Sequence, residues 1–226
     1  MKNCEYIDQR QLWDNQHMLR GGDTGIEATL LRYTPNDAAV ILASALLSPS
    51  LIFEVGSANG RDARFLAALG HRVDCIDFSD VALTQLRRLA EDEEVAVRIT
   101  TYCHDIAQGT LPELTDGIYD AFYARSALHV CDDALDLLAT QVSIKLKPQG
   151  LVIIEGKSPR DSKILGSDCM GNGLVCDQEG HIRRVWDEKT MLDLIGKHGW
   201  TLIQITEQVD KGPYGCNSMM RLAAHI

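Results

Sequence analysis

Short continuous apolar runs alternate along this chain with stretches in which apolar residues return at helical spacing. The first run, Leu51-Ile52-Phe53 with Val55, is too continuous for a half-exposed strand and predicts a central strand covered on both faces. It breaks into Gly56-Ser57-Ala58-Asn59-Gly60, where glycine permits a tight turn and a close approach of ligand to backbone. Arg61 to Leu69 then carries Phe65, Leu66 and Leu69 at helical spacing and stops at Gly70. Strand, glycine turn and helix make a nucleotide-type binding unit, and the open question is which nucleotide.

The alternation continues through the chain. Arg72 to Phe78 reads as a second strand, and Ser79 or Asp80 caps a helix with Leu83, Leu86 and Leu89 on one face. A third strand is predicted over Val97 to Cys103, a loop over 107–118, and a fourth strand over Ile118 to Ala124. Asp132-Asp133 opens a helix carrying Leu135, Leu138, Val142 and Leu146, and Pro148-Gln149-Gly150 turns into a fifth strand, Leu151 to Lys157. A helix over Asp187 to His198 and two strands, Trp200 to Val209 and Ser218 to Ile226, close the chain. Strands alternating with helices predict an α/β fold with a parallel sheet and helices on both faces.

Two segments stand outside that rhythm. Residues 1–48 precede the first strand and predict a helical cover or lid. Within them Tyr6, Leu12, Trp13, Met18 and Leu19 are available for packing, and Thr24 with Glu27 has the spacing of a capping box for a helix over Gly25 to Arg32. Thr34-Pro35-Asn36-Asp37 is a further start signal, with Pro35 at the first helical position of a helix running to about Leu47. Residues 158–186 are glycine-rich and polar and read as an insertion that contributes to an acceptor site. The whole, 1–226, is expected to be a single domain.

Composition narrows the partners. The formal net charge is −10 and the longest lysine or arginine run is a pair, which argues against a nucleic-acid footprint. No apolar stretch approaches membrane-spanning length, so no membrane partner is expected. Seven cysteines at 4, 75, 103, 131, 169, 176 and 216 include no Cys-x-x-Cys pair, and point to a reduced, cytoplasmic setting. Cys169, Cys176 and His181 share the insertion, but their irregular spacing matches no metal-ligand pattern, and no metal is expected.

In open α/β sheets ligands bind beyond the C-terminal ends of the strands. Those ends here are Glu54 to Gly60, Asp77-Phe78, Asp105-Ile106 and Tyr123 to His129. Asp77 lies 21 residues after Gly56, the offset at which an acid accepts from the ribose hydroxyls of a nucleoside, and Phe78 is placed to pack on a base. The dinucleotide fingerprint Gly-x-Gly-x-x-Gly is absent, because Ala58 stands at the second glycine place. Glu54 beside the turn would also repel a phosphate, so a cofactor without a pyrophosphate fits better than NAD.

The stretch FEVGSANGRDARFLAALGHRVDCIDFS resembles motifs I and II of the class I S-adenosylmethionine-dependent methyltransferases, with alanine replacing the middle glycine of acid-x-Gly-x-Gly-x-Gly. The likeness extends through YDAFYARSALH and LKPQGLVIIEGK and covers roughly residues 50–157. It implies a Rossmann-like, mostly parallel seven-stranded sheet with an antiparallel last strand, and S-adenosyl-L-methionine as cofactor. On these positions it implies a methionine part against Glu54, Gly56, Ser57, Asn59 and Gly60, a ribose on Asp77, and adenine between Phe78 and Asp105-Ile106. A finer likeness is to small bacterial methyltransferases of the tellurite-resistance and small-molecule type, through Tyr123, Arg125, His129, Arg183 and Arg184.

Methyl transfer from a sulfonium is a direct displacement in which positioning contributes roughly 7–11 kcal/mol, and no metal is demanded. His129 is the candidate general base for a hydroxyl nucleophile, or else it bonds a backbone carbonyl at a strand end. Arg125, Arg183 and Arg184 are candidates to hold an anionic small-molecule acceptor. Arg125 alternatively pairs with Glu155 or Asp120, and Arg183-Arg184 form a solvated loop pair. Methylation of a metalloid by way of exposed thiols at Cys131, Cys169 and Cys176, and a non-catalytic scaffold of the same fold, stay open beside this reading. The protein is expected to be a monomer or homodimer.

Overall fold

The computed structural model describes residues 8–22, 34–47, 49–212 and 215–226. Five parallel strands form the body of the sheet: β1 (Leu51–Val55), β2 (Arg72–Asp77), β3 (Ile99–Cys103), β4 (Tyr119–Arg125) and β5 (Leu146–Lys157). Two more follow, β9 (Thr201–Gly212) and β10 (Gly215–His225), and the order across the sheet is β3-β2-β1-β4-β5-β10-β9. β10, last in the chain, runs antiparallel to both β5 and β9. The expected seven-stranded, Rossmann-like sheet with an antiparallel last strand is therefore present.

The continuous apolar character of β1 follows from its central place. Phe53 and Val55 face one core with Phe122, Val152 and Ile154, while Ile52 faces the other with Val73, Cys75 and Ile153. The first core is covered by α5 (Asp132–Lys145) and α6 (Glu188–His198) through Leu135, Leu138, Met191 and Leu194. The second is covered by α2 (Asp37–Ala45), α3 (Arg61–Ala68) and α4 (Asp80–Asp92) through Leu42, Leu66, Leu83 and Leu86. With both faces buried, no strand position has reason to be polar unless it serves the strand ends.

Helix caps set the entry of chain into each layer. Ser79 Oγ accepts from Ala82 N ahead of α4, and Asp187 accepts from Thr190 N ahead of α6. The start of α2 differs from the expected one. Asn36 rather than Thr34 is the capping residue, and Pro35 lies outside the helix. Asn36 is held extended because its backbone N–H and its Nδ2 both donate to Asp62, at 2.9 and 2.6 Å, which ties α2 to α3. The helix expected over Gly25 to Arg32 lies outside the described residues.

Two features go beyond the periodic reading. Residues 9–22 form a helix, α1 (Gln9–Gly22), that continues to the Gly21-Gly22 pair. Within 158–186, read as irregular, lies a separate antiparallel sheet of β6 (Asp168–Gly171), β7 (Leu174–Cys176) and β8 (Ile182–Arg184). Among the described residues no helix is long and apolar enough to cross a membrane.

Candidate active site

The C-terminal ends of the parallel strands open into a cavity of about 1420 Å³, roofed by α1 and walled on one side by the β7–β8 hairpin. That exceeds the roughly 300–1,000 Å³ of a pocket for a single drug-sized ligand, leaving room for two molecules side by side. The turn after β1 forms its floor. Gly56 has φ +77°, and a Cβ there would lie 2.1 Å from that of Ala127, so only glycine lets this turn lie against the one after β4. Ala58, at the place of the missing middle glycine, takes a left-handed φ of +50° and donates its N–H to Asp77 Oδ2 at 2.9 Å.

The floor is acidic on balance, with Arg61 3.6 Å from Asp62 and Arg10 over the Phe78 ring offsetting part of its charge. Glu54, Asp62, Asp77 and Asp105 all line the cavity. Asp77 accepts from Ser79 N and Ala58 N, both at 2.9 Å, and burial raises its pKa against the pull of those N–H groups. Burial, with the neighbouring carboxylates of Asp62 and Asp77, pushes Glu54 well above the usual carboxylate range. Glu54 Oε2 and Ser57 Oγ are buried and without a hydrogen-bond partner among the described residues. Phe78, Ile106 and Asn59 line the same half, and Asp105 Oδ1 accepts from Ala107 N.

The opposite half is basic. Arg125, Lys157, Lys163 and Arg183 line it, in a chain of net charge −10. Each guanidinium is oriented by a carboxylate on its Nε side, Arg125 by Glu155 at 2.7 Å and Arg183 by Asp177 at 2.5 Å. Glu155 is shared with Arg221, so this trio keeps one net positive charge. Arg183 also lies 5.5 Å from the Trp13 ring centre. Burial lowers the Lys157 pKa, and a 2.7 Å bond to Asp161 opposes that shift.

His129 stands between the halves, its ring stacked on Trp13 at 6.2 Å and 12°. Its Nδ1 accepts the backbone N–H of Arg184 at 3.1 Å, which puts the ring proton on Nε2. Nε2 is buried and has no hydrogen-bond partner among the described residues. Burial, seconded by Arg183, pushes its pKa down to about 3. The ring is thus neutral and offers a donor, and the geometry opposes the general-base role expected from its position.

Three expected contacts are differently placed. Gly60 is turned from the cavity, and a Cβ there would meet Leu86 of α4 at 2.3 Å, so its glycine serves helix packing. Tyr123 is buried beneath the floor and donates to Asp62 Oδ2 at 2.9 Å, positioning that carboxylate from below. Arg184 is buried rather than solvated, spending its guanidinium on Val130 O, Asn172 O and Asp132 Oδ1. The remaining expected positions, Glu54, Gly56, Ser57, Asn59, Asp77, Phe78, Asp105, Ile106, Arg125, His129 and Arg183, are brought to one cavity.

α1, expected as part of a helical cover or lid, is tied down on both sides of the cavity. Gln9 bonds the hairpin backbone twice, donating to Gly180 O and accepting from Ile182 N, both at 3.0 Å. At the other side Ser79 Oγ donates to Asp14, and Gln85 Nε2 donates to His17 O at 3.0 Å. Trp13 between them meets His129, His181 and Arg183. These partners lie up to 173 residues apart in sequence, beyond the reach of any local signal.

Residues 52–150 match the family model described as a methyltransferase domain. No curated protein matches the chain in sequence. An S-adenosylmethionine-dependent methyltransferase from Methanosarcina mazei superposes with a TM-score of 0.69 at 15% identity, over 82% of this chain and 96% of its own. The 1,6-didemethyltoxoflavin-N1-methyltransferase of Burkholderia thailandensis, solved with 1,6-didemethyltoxoflavin and S-adenosylhomocysteine bound, reaches 0.67 at 18% identity, over 95% and 87%. The cyclase SpnF reaches 0.69 at 16% identity, over 96% and 94%. At these identities the likeness shows the fold, which in SpnF serves a cyclase.

The cofactor implied by the domain fits the floor described above. Unpartnered buried oxygens on Glu54 and Ser57, a floor rich in carboxylates and no pyrophosphate cradle suit a cationic nucleoside. Residues 52–150, with the sheet built around them, thus carry a methyltransferase domain on the fold shared with S-adenosylmethionine-dependent methyltransferases.

Proposed function

We propose that the protein methylates a small anionic molecule held in the basic half of the cavity, in a reduced cytoplasmic setting. The observation that carries this reading is the division of one cavity into an acidic floor and a far end lined by donors, among them Arg125, Arg183 and His129. Guanidinium groups already oriented through Nε keep their Nη edges for a second carboxylate or phosphate. S-adenosylmethionine, when bound, supplies a methyl group on a positively charged sulfur. Asp77 would hold its ribose, Phe78 and Ile106 its adenine with Asp105 at the amino group, and the 56–59 turn its methionine part.

The chain's own part is then positioning and exclusion of water. An acceptor that arrives as an anion brings an unprotonated electron pair, so a neutral donor at His129 suits it better than a base. α1 closes the roof through Gln9 and Asp14, and the 158–186 insertion supplies Arg183. Among the described residues the one set of three metal-ligating groups contains no cysteine, so nothing there favours the metalloid alternative.

The test is a panel of small carboxylates and their neutral amides assayed with labelled methyl donor. Acceptors are expected among the acids, and Arg183→Met and Arg125→Met are expected to raise acceptor KM at least tenfold while cofactor affinity stays. Turnover of the amides alone, or an unchanged KM in both variants, contradicts the proposal.

A further inference from the structure

The loop joining β7 to β8 gathers Asp177, Glu179 and His181, whose ligand atoms all lie within 4.8 Å of one another. His181 is only 5% exposed, yet neither ring nitrogen has a hydrogen-bond partner among the described residues. Buried polar groups left unpaired are rare in native proteins, and each calls for a cause. Here Nδ1 faces two carboxylates without bonding either, 3.6 Å from Asp177 Oδ1 and 3.7 Å from Glu179 Oε2. Those separations are too long for hydrogen bonds.

They suit a different occupant. With metal–ligand bonds of about 2.0–2.2 Å to imidazole nitrogen and carboxylate oxygen, two ligands of a tetrahedral zinc lie about 3.4 Å apart. The imidazole is thus within a few tenths of an ångström of that edge length from both oxygens. We propose that Asp177, Glu179 and His181 form a binding site for a divalent transition-metal cation, with zinc the best-fitting ion. One nitrogen and two oxygens favour zinc over magnesium, which prefers oxygen alone, and three protein ligands leave a fourth position for water.

The surroundings have the character of an outer shell. Asp177 Oδ1 accepts from the backbone N–H groups of Glu179 and His181, at 3.0 and 2.9 Å, which fix it at the site edge, and Oδ2 accepts from Arg183 Nε at 2.5 Å, an outer partner that orients the carboxylate. Two cations face the cluster, Arg183 and Lys163. Arg183 is engaged with Oδ2, whereas Lys163 pairs with Glu179 in an exposed contact at 3.1 Å that water screens, and its side chain has to swing aside. Such an ion would stiffen the loop on which Gln9 hooks α1, through Gly180 and Ile182, and from which Arg183 enters the cavity. Its role would be a clamp on the roof, apart from the methyl transfer itself.

Calorimetric titration of the chelator-stripped full chain with zinc chloride tests this without any methyl acceptor, so its outcome is separate from that of the function proposed above. One equivalent is expected to bind and to raise the melting temperature. Glu179→Gln, at a surface position that leaves the fold intact, and His181→Ala are expected to weaken binding at least tenfold. Lys163→Met is expected to tighten it. Absence of binding, or binding that Glu179→Gln leaves unchanged, overturns the site.

Discussion

Ala58 and His129 show how single residues carry the candidate site. Ala58 holds φ +50°, a region that costs an L-residue roughly 1–2 kcal/mol, so that its N–H reaches Asp77. Part of that cost is returned by the narrower unfolded ensemble of alanine, about 0.4–1 kcal/mol. Ala58→Gly is therefore expected to leave stability unchanged or raise it by up to about 1 kcal/mol in denaturant melts. At His129 the discriminating substitution is His129→Gln, which keeps a donor but removes a titratable base. Turnover within about tenfold of the parent is expected, where loss of a general base would cost about 10²–10⁴. His129→Phe is expected to lose more, since it removes the donor. His129 also bears on acid stability. Its folded pKa of about 3 lies below the ordinary histidine value of 6.5, so the unfolded chain binds the extra proton and stability falls as pH drops between those values. The loss is at most about 1.4 kcal/mol per pH unit, and melts of His129→Gln are expected to show a flatter acid limb.

At the scale of elements, the strands and main helices were legible because their periodicity is enforced by burial. β1 reads as apolar since both its faces are covered, and α4 shows Leu83, Leu86 and Leu89 since one face is. The short sheet of β6 to β8 was not legible: its strands run three or four residues and are punctuated by glycines, β6 is exposed, and what β8 buries is a pair of arginines rather than an apolar face. Nor was the start of α2, because Asn36 is claimed by the distant Asp62 rather than by its own helix. The roof is likewise a matter of tertiary contacts. Two backbone bonds from one Gln9 amide hold α1 to the hairpin, each contributing about 1 kcal/mol. Gln9→Ala is expected to speed hydrogen exchange across residues 9–22 while leaving the sheet's protection as it was. Unchanged exchange in α1 would show that Trp13 packing and the bonds at Asp14 and His17 hold it without Gln9.

Over the whole molecule, the gathering of the acidic half of the cavity was legible in the sequence and that of the basic half only in part. The floor is built from strand ends and their turns, so Glu54, Asp77 and Asp105 take their places from topology that local sequence already implies. The far end draws on α1, β4, β5 and the insertion, and its charges are arranged by pairings such as Arg125 with Glu155 and Arg183 with Asp177. No spacing rule reports those pairings. Arg125 and Arg183 reach the cavity while Arg184, beside Arg183 in sequence, turns into the protein, because successive strand residues point to opposite faces. The chain's net charge of −10 makes that basic end a local exception, which would draw an anion inward.

The most direct test of this division is calorimetric titration of S-adenosylhomocysteine into the parent protein, Asp77→Ala and Arg183→Met. One site per chain is expected in the parent, with affinity at least tenfold weaker in Asp77→Ala and unchanged in Arg183→Met. Binding that Asp77→Ala leaves untouched, or that Arg183→Met abolishes, would contradict the assignment of the acidic floor to the cofactor and the basic end to the acceptor.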